Sequence, residues 1–516
     1  MKDLPDGWIE ATIPEIIAKD GVFVDGDWVE SKDQDPSGDV RLIQLADIGD
    51  GVYRDRSSRF LTLDKARELN CTFLERGDIL IARMPDPLGR ACSFPGDSRA
   101  SVTVVDVCVV RPAVDSVSAY WLVHALNSPQ MRRAMVPYQK GTTRRRISRR
   151  NLGSIPLPIP PRAEQERIVD VIEEQFSRLE AGVAAQERIW LNLKRMRAAV
   201  MQSTMTGGLV STQSTPSGAP ALLREILEAR LNASSGSRRR YKQPVEPLPS
   251  SVTLPPHWAW ASLDMLSESV DAITDGPFGS NLKSAHYTQS GPRVIRLQNI
   301  GDGDFLDAEA HISEEHFRSL TKHEVKPGDL VCVILGETLP RSAIIPEDVG
   351  PAIVKADCPR VRLSPLVNRR FVWAVLNAPS TRREASARVH GVGRPRLNLK
   401  ELRQIPIPLP PRAEQDALVD AMDRHLDAIS RIEGELTKQR DLSGALRSSI
   451  LAAAFSGKLA DQSSSDESAA ALLERIAANG AMSSNHTPVH VKPPKAGRPD
   501  LGDQERKKQR HRTANA

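Results

Sequence analysis

Ile155-Pro156-Leu157-Pro158-Ile159-Pro160-Pro161-Arg162-Ala163-Glu164-Gln165 returns almost unchanged as Ile405-Pro406-Ile407-Pro408-Leu409-Pro410-Pro411-Arg412-Ala413-Glu414-Gln415, an offset of 250 residues (155 to 405). The same offset carries Leu4-Pro5 and Trp8 onto Leu254-Pro255 and Trp258. It carries Asn127, Pro129, Arg132 and Arg133 onto Asn377, Pro379, Arg382 and Arg383, and Gly141, Arg144 and Arg146 onto Gly391, Arg394 and Arg396. Further along, Gly207 and Leu209 match Gly457 and Leu459, and Leu222-Leu223 match Leu472-Leu473. Chance does not hold one register over so many positions. The period is too long for a solenoid and marks one two-part unit, duplicated. In each copy the first ~150 residues diverge and the last ~60 resemble one another. The similar parts are expected to do one job twice, and the divergent parts a similar job on different targets.

The 516 residues suggest several domains, at roughly 100–200 residues each. Hydrophobic content of 40% with 26% charged residues fits a globular chain. The net charge of +5, from 70 basic and 65 acidic side chains, permits a polyanionic partner without requiring one. No apolar run approaches the ~20 residues of a membrane span. Nothing after Met1 resembles the apolar core of a secretion signal, so a cytoplasmic location is expected. Cys71, Cys92, Cys108, Cys332 and Cys358 form no CxxC pair, which points to reduced thiols and away from a disulfide framework or a zinc site.

The divergent parts read as mixed α/β. Asp39 to Ile48, Asp78 to Ala82 and Val102 to Val110 are β-rich, as are Arg293 to Ile300 and Asp329 to Leu335. Gly77-Asp78 and Gly328-Asp329 read as turns feeding buried strands. Tyr120 to Met135 and Arg370 to Ala387 have helical spacing. The similar parts read as long helices opening near Pro161 and Pro411, with Glu164 and Glu414 in the first turn, where the dipole favours an anion. Apolar residues then recur every three or four positions, at Ile168, Ile172, Phe176, Leu179, Val183, Trp190, Leu193 and Val200. In the second copy they are Leu418, Met422, Leu426, Ile429, Ile432, Leu436, Leu442, Leu446 and Ile450, and mutual packing of the two stripes is expected. About 40 helical residues make a rod of roughly 60 Å.

Enzyme signatures are missing. The chain has no GxxxxGK[ST] loop, no GxGxxG after a strand and no GxSxG elbow. His311 and His316 do not meet the HExxH zinc spacing and read as part of a solvated helix. The Asn- or Asp-Pro-Pro-aromatic tetrapeptide of amino-methyltransferases is also absent.

The repeated proline-rich segment leading into a long helix resembles the specificity subunit of type I restriction–modification systems. So does Asp275-Gly276-Pro277-Phe278-Gly279-Ser280-Asn281-Leu282-Lys283, followed by Arg293 to Ile300, which is similar to the opening of a target recognition domain in that family. No Gly-Pro-Phe-Gly-Ser occurs between Trp8 and Ile48, so the first copy departs from the pattern. The resemblance spans roughly residues 1–460 and implies an α+β chain. Two mixed α/β target recognition domains would be separated by two long antiparallel helices, a coiled-coil spacer with pseudo-twofold duplication. The expected divisions are 1–150 and 251–400 for the recognition domains and 151–210 and 401–461 for the spacer helices. A linker with a short helix would occupy 211–250, and a mostly disordered basic tail, with a short helix near Leu472 to Ile476, 462–516. Each recognition domain would read half of a split, asymmetric site on double-stranded DNA. The helices would dock two modification subunits carrying S-adenosylmethionine, and restriction subunits using ATP and Mg would join. The chain itself would hold no cofactor and catalyse nothing. The competing readings are a self-contained DNA-modifying enzyme and a scaffold that joins proteins without reading DNA.

Within that frame the leading DNA-contact candidates are Thr142, Thr143, Arg144, Arg145 and Arg146 after Gly141, and Arg394 and Arg396 after Gly391. Arginine offers a planar fork to phosphate or guanine, and glycine lets backbone amides approach a phosphate. Arg83, Arg90 and Arg341 follow strands in loops, where binding groups concentrate, although an ordinary surface arginine is an equal reading. Ser280, Asn281 and Lys283 offer hydrogen bonds from a glycine-containing loop, with a structural turn as the alternative. Phe278 is expected in the core, and Arg132-Arg133 and Arg382-Arg383 in a shared role, a salt bridge within the domain rather than the alternative of a phosphate contact.

Overall fold

The computed structural model describes residues 4–17, 21–113, 116–141, 145–211, 218–235, 242–391 and 393–482. It divides into two compact units, one of Met1–Glu180 with Gly444–Ala516 and one of Ala181–Ser443. These units are not the two copies of the sequence. Each takes a mixed domain and the start of the following long helix from one copy. It is completed by the end of the other copy's long helix and the short helix beyond it.

In the first unit, the long helix Arg162–Thr206 contributes Ile168, Ile172 and Phe176 to a core shared with Trp8, Trp121, Leu451, Phe455, Leu472 and Ile476. Arg167 pairs with Asp466, beyond the end of the long helix Arg412–Ala454, whereas Glu180 pairs with Arg447 inside it. The two helical stretches therefore run antiparallel. In the second unit Gln186 meets Gln439 and Arg197 meets Glu433, again antiparallel. Leu193, Met201 and Met205 are buried there with Leu418, Met422, Leu426, Ile429 and Leu436. The expected stripe is not covered throughout, because Ile432, Leu442 and Leu446 are exposed. Apolar spacing marks a face without saying which turns find a neighbour. Both helices stop in the same way. Gly207 and Gly457 take positive φ (80° and 67°), and the next N–H groups, of Gly208 and Lys458, donate back to the Ser203 and Ala453 carbonyls.

The helix Ala219–Ser235 packs on the second unit through Ala219 and Ile226, and Ala469–Met482 packs on the first through Ala469, Leu472 and Ile476. The short helix expected near Leu472 to Ile476 is longer, Ala469–Met482, and the tail beyond it lies outside the described residues. The basic stretch from Arg506 to Arg512 lies outside the described residues. No helix among the described residues is long and apolar enough to cross a membrane.

Each mixed domain holds two small sheets. In the first, Val22–Asp25, Val107–Arg111, Ile79–Ala82 and Ala91–Ser93 pair antiparallel in that order. A second sheet orders Phe60–Leu61, Val40–Ile43 and Ser101–Thr103. The second domain repeats the plan with Ile273–Thr274, Arg360–Val361, Leu330–Val333 and Arg341–Ile344. Its other sheet orders His311–Ile312, Tyr287–Ile295, Ala352–Val354 and Glu324–Val325.

The shared sequence marks have physical reasons. The proline-rich segments form strands, Leu157–Ile159 against Ile9–Ala11 and Pro406–Leu409 against Ala259–Ser262. Prolines fall on every second position, so the missing N–H groups all face away from the single partner strand. Glu164 and Glu414 accept the indole N–H of Trp8 (3.0 Å) and Trp258 (3.1 Å). Gln165 bridges the Pro160 carbonyl and the Ser118 amide, and Gln415 bridges Pro410 and Asn368 in the same way. Asn127 bonds both the N–H and the carbonyl of Ala91, and Asn377 does so at Ser342, each amide completing an edge strand. Arg132 and Arg382 in turn donate to these asparagines (2.8 and 2.7 Å), the structural role expected of them.

Candidate nucleic-acid interface

The described residues flanking the arginine-rich segments pair as hairpin ends. Lys140 and Arg146 exchange both backbone hydrogen bonds at 2.9 Å, and His390 and Arg396 do so at 2.9 and 2.8 Å. Gly141 and Gly391 turn the chain at φ 101° and 96°. Each tip is fastened to the neighbouring sheet, because Ile147 N–H donates to the Arg83 carbonyl and Leu397 N–H to that of Ile334. Arg145 and Arg146 are exposed. Thr142, Thr143 and Arg144 lie outside the described residues.

In the second domain the tip forms one wall of a cleft of about 580 Å³ lined by Phe278, Arg296, Gln298, Lys355, Asp357, Arg394 and Arg396, among others. Arg396 pairs with Asp357 (3.0 Å) and Asp275 (3.5 Å), and Arg394 with Asp357 (3.5 Å). Four cations thus stand against two carboxylates, and the carboxylates hold the arginine forks in place before any ligand arrives. Asp357 is in the left-handed region (φ 69°), a strained conformation for a residue with a side chain. Burial pushes the Asp275 carboxyl up to about 6, with the Asp357 charge adding to the rise and Arg396 opposing it. Such a basic notch with pre-positioned forks suits phosphate or a guanine edge.

The other candidates separate. Ser280, Asn281 and Lys283 are exposed around the turn Gly279–Asn281, where Gly279 has φ 59°. The Asn281 carbonyl bonds the His316 ring at 2.9 Å, and His316 packs against His286 with ring centroids 4.2 Å apart. Arg341 is half-buried at the start of its strand. Arg83 and Arg90 are 5% and 7% exposed. Arg83 donates to the Ile147 and Val105 carbonyls and pairs with Asp25. Arg90 donates to the Ile48 (2.7 Å), Leu45 (2.9 Å) and Pro87 (3.2 Å) carbonyls. Both guanidiniums are therefore occupied in tying loops of their own domain together, which corrects the picture of them as loop-borne surface groups.

Phe278 also differs from expectation. It is 50% exposed, because Leu282 takes the core position beside Val294, Ile312 and Ile353. The first domain retains more of the pattern than its sequence suggested. Asp25-Gly26-Asp27-Trp28 occupies the place of Asp275-Gly276-Pro277-Phe278, and Trp28 is 68% exposed. Likewise Arg41-Leu42-Ile43-Gln44-Leu45 stands for Arg293-Val294-Ile295-Arg296-Leu297, with Arg41 paired to Asp55 as Arg293 is to Asp307. Sequence reading missed Trp28, Arg296, Gln298, Lys355 and Asp357. Trp28 was within reach through the 250-residue register and its Asp-Gly-x-aromatic frame. The other four follow two strands, Arg296 and Gln298 after Tyr287–Ile295 and Lys355 and Asp357 after Ala352–Val354, which only the fold brings side by side.

Comparison with known proteins shows the family of the chain. Residues 5–186 and 298–439 match the family model described as the type I restriction modification DNA specificity domain. The chain is similar to the type I restriction enzyme EcoBI specificity subunit of Escherichia coli, with 26% identity over 391 residues, 73% of this chain and 75% of the relative. It is also similar to the EcoDI specificity subunit of Escherichia coli, with 25% identity over 355 residues, 67% of this chain and 73% of the relative. Among solved structures, a chain from work on complex assembly and conformational transition of the type I R-M system superposes with a TM-score of 0.56. That match has 17% identity and covers 89% of this chain and 100% of that one.

Proposed function

The chain belongs to the type I restriction–modification DNA specificity family, and on that footing we propose that each mixed domain reads one half of a bipartite, asymmetric site on duplex DNA. The observation that carries the reading is the repeated hairpin tip. Two domains of divergent sequence present exposed arginines on the same glycine-turned loop, fastened to the same place in the sheet. Phosphate contacts from such tips set register, while side chains that differ between the domains, such as Gln298 against Ala46, discriminate bases. Each domain then supplies its own half-site, and the whole site has no internal symmetry.

The long helices connect the readers and set the gap between the half-sites. Two heads on one face of a duplex want a separation near one helical turn, about 34 Å. The same helices dock the modification subunits, two per chain as the duplication suggests. Restriction subunits complete the assembly. S-adenosylmethionine belongs to the modification subunits, and ATP and Mg to the restriction subunits. In this reading the chain binds and measures, and its partners carry out methyl transfer and cleavage.

An electrophoretic shift with random duplex pools, run with the modification subunits present, tests the proposal. Enrichment of a split motif supports it. Assembly of the complex with no DNA selection supports a protein scaffold instead. Methyl transfer or cleavage by the isolated chain would establish a self-contained enzyme.

A further inference from the structure

Both domains expose one large aromatic at the same place in the repeat, and neither exposure reflects a loose loop. A Cβ on Gly276 would lie 2.4 Å from the Val354 carbonyl oxygen, and one on Gly26 would lie 2.2 Å from that of Val104. The two turns therefore press on equivalent strands at points where only glycine fits. The acid before each glycine is held by an arginine, Asp275 by Arg396 (3.5 Å) and Asp25 by Arg83 (3.3 Å). The residue after each glycine is fixed as well. Position 277 is proline, while the Asp27 N–H donates to the Thr103 carbonyl (2.8 Å) and its carboxylate accepts the Thr72 amide (3.0 Å). Phe278 and Trp28 stand on these anchored turns with half or more of their surface in solvent.

The setting of Phe278 indicates what covers it. The Arg396 guanidinium lies 5.5 Å from the ring centroid, and Arg296, Lys355 and Arg394 line the same cleft. An apolar ring among four cations matches a ligand that is anionic at its edge and flat and apolar within. Duplex DNA has that form, with phosphates outside and base faces, sugars and thymine methyls in the groove. We infer that Phe278 and Trp28 are the apolar contacts that seat each domain in the groove of its half-site, packing against bases while the hairpin arginines take the phosphates. This rests on the reading of the two domains as DNA readers and adds to it a role for two residues.

The chemistry makes the inference separable by salt. A phosphate contact releases counterions, so its loss lowers the slope of log K against log salt by about 0.9. An apolar contact releases none, so its loss lowers affinity equally at every salt. The experiment titrates fluorescent duplex into the chain assembled with its modification subunits over a range of salt. The variants are Phe278→Ala, Trp28→Ala, the double variant, Phe278→Trp and Arg394→Ala. Circular dichroism confirms that each is folded. Each single aromatic variant is expected to bind ~10-fold more weakly with an unchanged slope, and the double variant ~100-fold, in line with stacking contacts. Phe278→Trp restores affinity, and Arg394→Ala lowers the slope. Wild-type affinity in both alanine variants overturns the inference, as does a lowered slope in Phe278→Ala. A wild-type complex that shows no salt-dependent DNA binding overturns the underlying reading, and the inference falls with it.

Discussion

The division into units makes a prediction that the order of the sequence does not. Ile476 lies near the C-terminal end of the described chain, yet it is buried in the core of the first mixed domain's unit. Its counterpart at the 250-residue offset, Ile226, follows the first long helix but is buried in the second unit. They are 4% and 1% exposed, so truncation to alanine removes a nearly complete burial in each case. Such substitutions cost about 2–5 kcal/mol, the transfer term plus the residual cavity. A helix docked on a domain surface can settle into part of the void, which places both near 2–4 kcal/mol. A chain of two units has no single unfolding free energy, so the readout must be local. Hydrogen–deuterium exchange with peptide resolution supplies it. Ile476→Ala should accelerate exchange in peptides from residues 4–180 and 444–482 and leave 181–443 near wild type. Ile226→Ala should do the reverse. Acceleration confined to the substituted residue's own sequence copy, or losses below about 0.5 kcal/mol, would refute the assignment of these helices.

Three further outcomes follow from particular contacts. Asn127→Leu and Asn377→Leu each leave an edge-strand N–H without a partner and release Arg132 or Arg382 from its asparagine, while the carbonyls of Ala91 and Ser342 keep the Gly51 amide and the Trp373 indole, so each should destabilise its own unit by about 1–3 kcal/mol, read as faster local hydrogen exchange. Asp275 has its folded pKa raised to about 6 from 3.8, so the folded state binds the extra proton. The stabilisation is complete at low pH and disappears as pH rises towards about 6; Asp275→Asn should therefore flatten the pH profile of second-unit stability between about pH 4 and 6. Arg146→Ala should lower the salt slope of DNA binding by about 0.9, whereas Arg83→Ala should leave the slope unchanged and lower the melting temperature of the first unit.

Much of the architecture was legible because the duplication samples each feature twice. A proline at alternate positions, a glutamate three residues after the last proline and an asparagine before a helix-breaking proline each have one structural meaning, and the offset certifies it. The rest depended on where side chains go. Arg90 directly precedes the strand Ala91–Ser93 and Arg341 opens the strand Arg341–Ile344, yet Arg90 turns inward to carbonyls. Loop sequence does not encode that choice. Phe278 and Leu282 are four residues apart, and either could have filled the core; the turn at Gly279 selects Leu282. The exchange of chain ends between units was hidden because an amphipathic helix specifies an apolar face and not the surface that covers it. Trp28 is hard to see in the sequence because the fold needs only the glycine and the aromatic two residues on, while the first copy lacks the rest of the Gly-Pro-Phe-Gly-Ser pattern.

The most direct test of the account is a genome-wide map of methylated adenines in the host, made with the native chain, without it, and with residues 251–400 exchanged for those of a relative. The account predicts a split motif that vanishes without the chain and changes in one half alone after the exchange. A continuous motif, or one unaltered by the exchange, would contradict it.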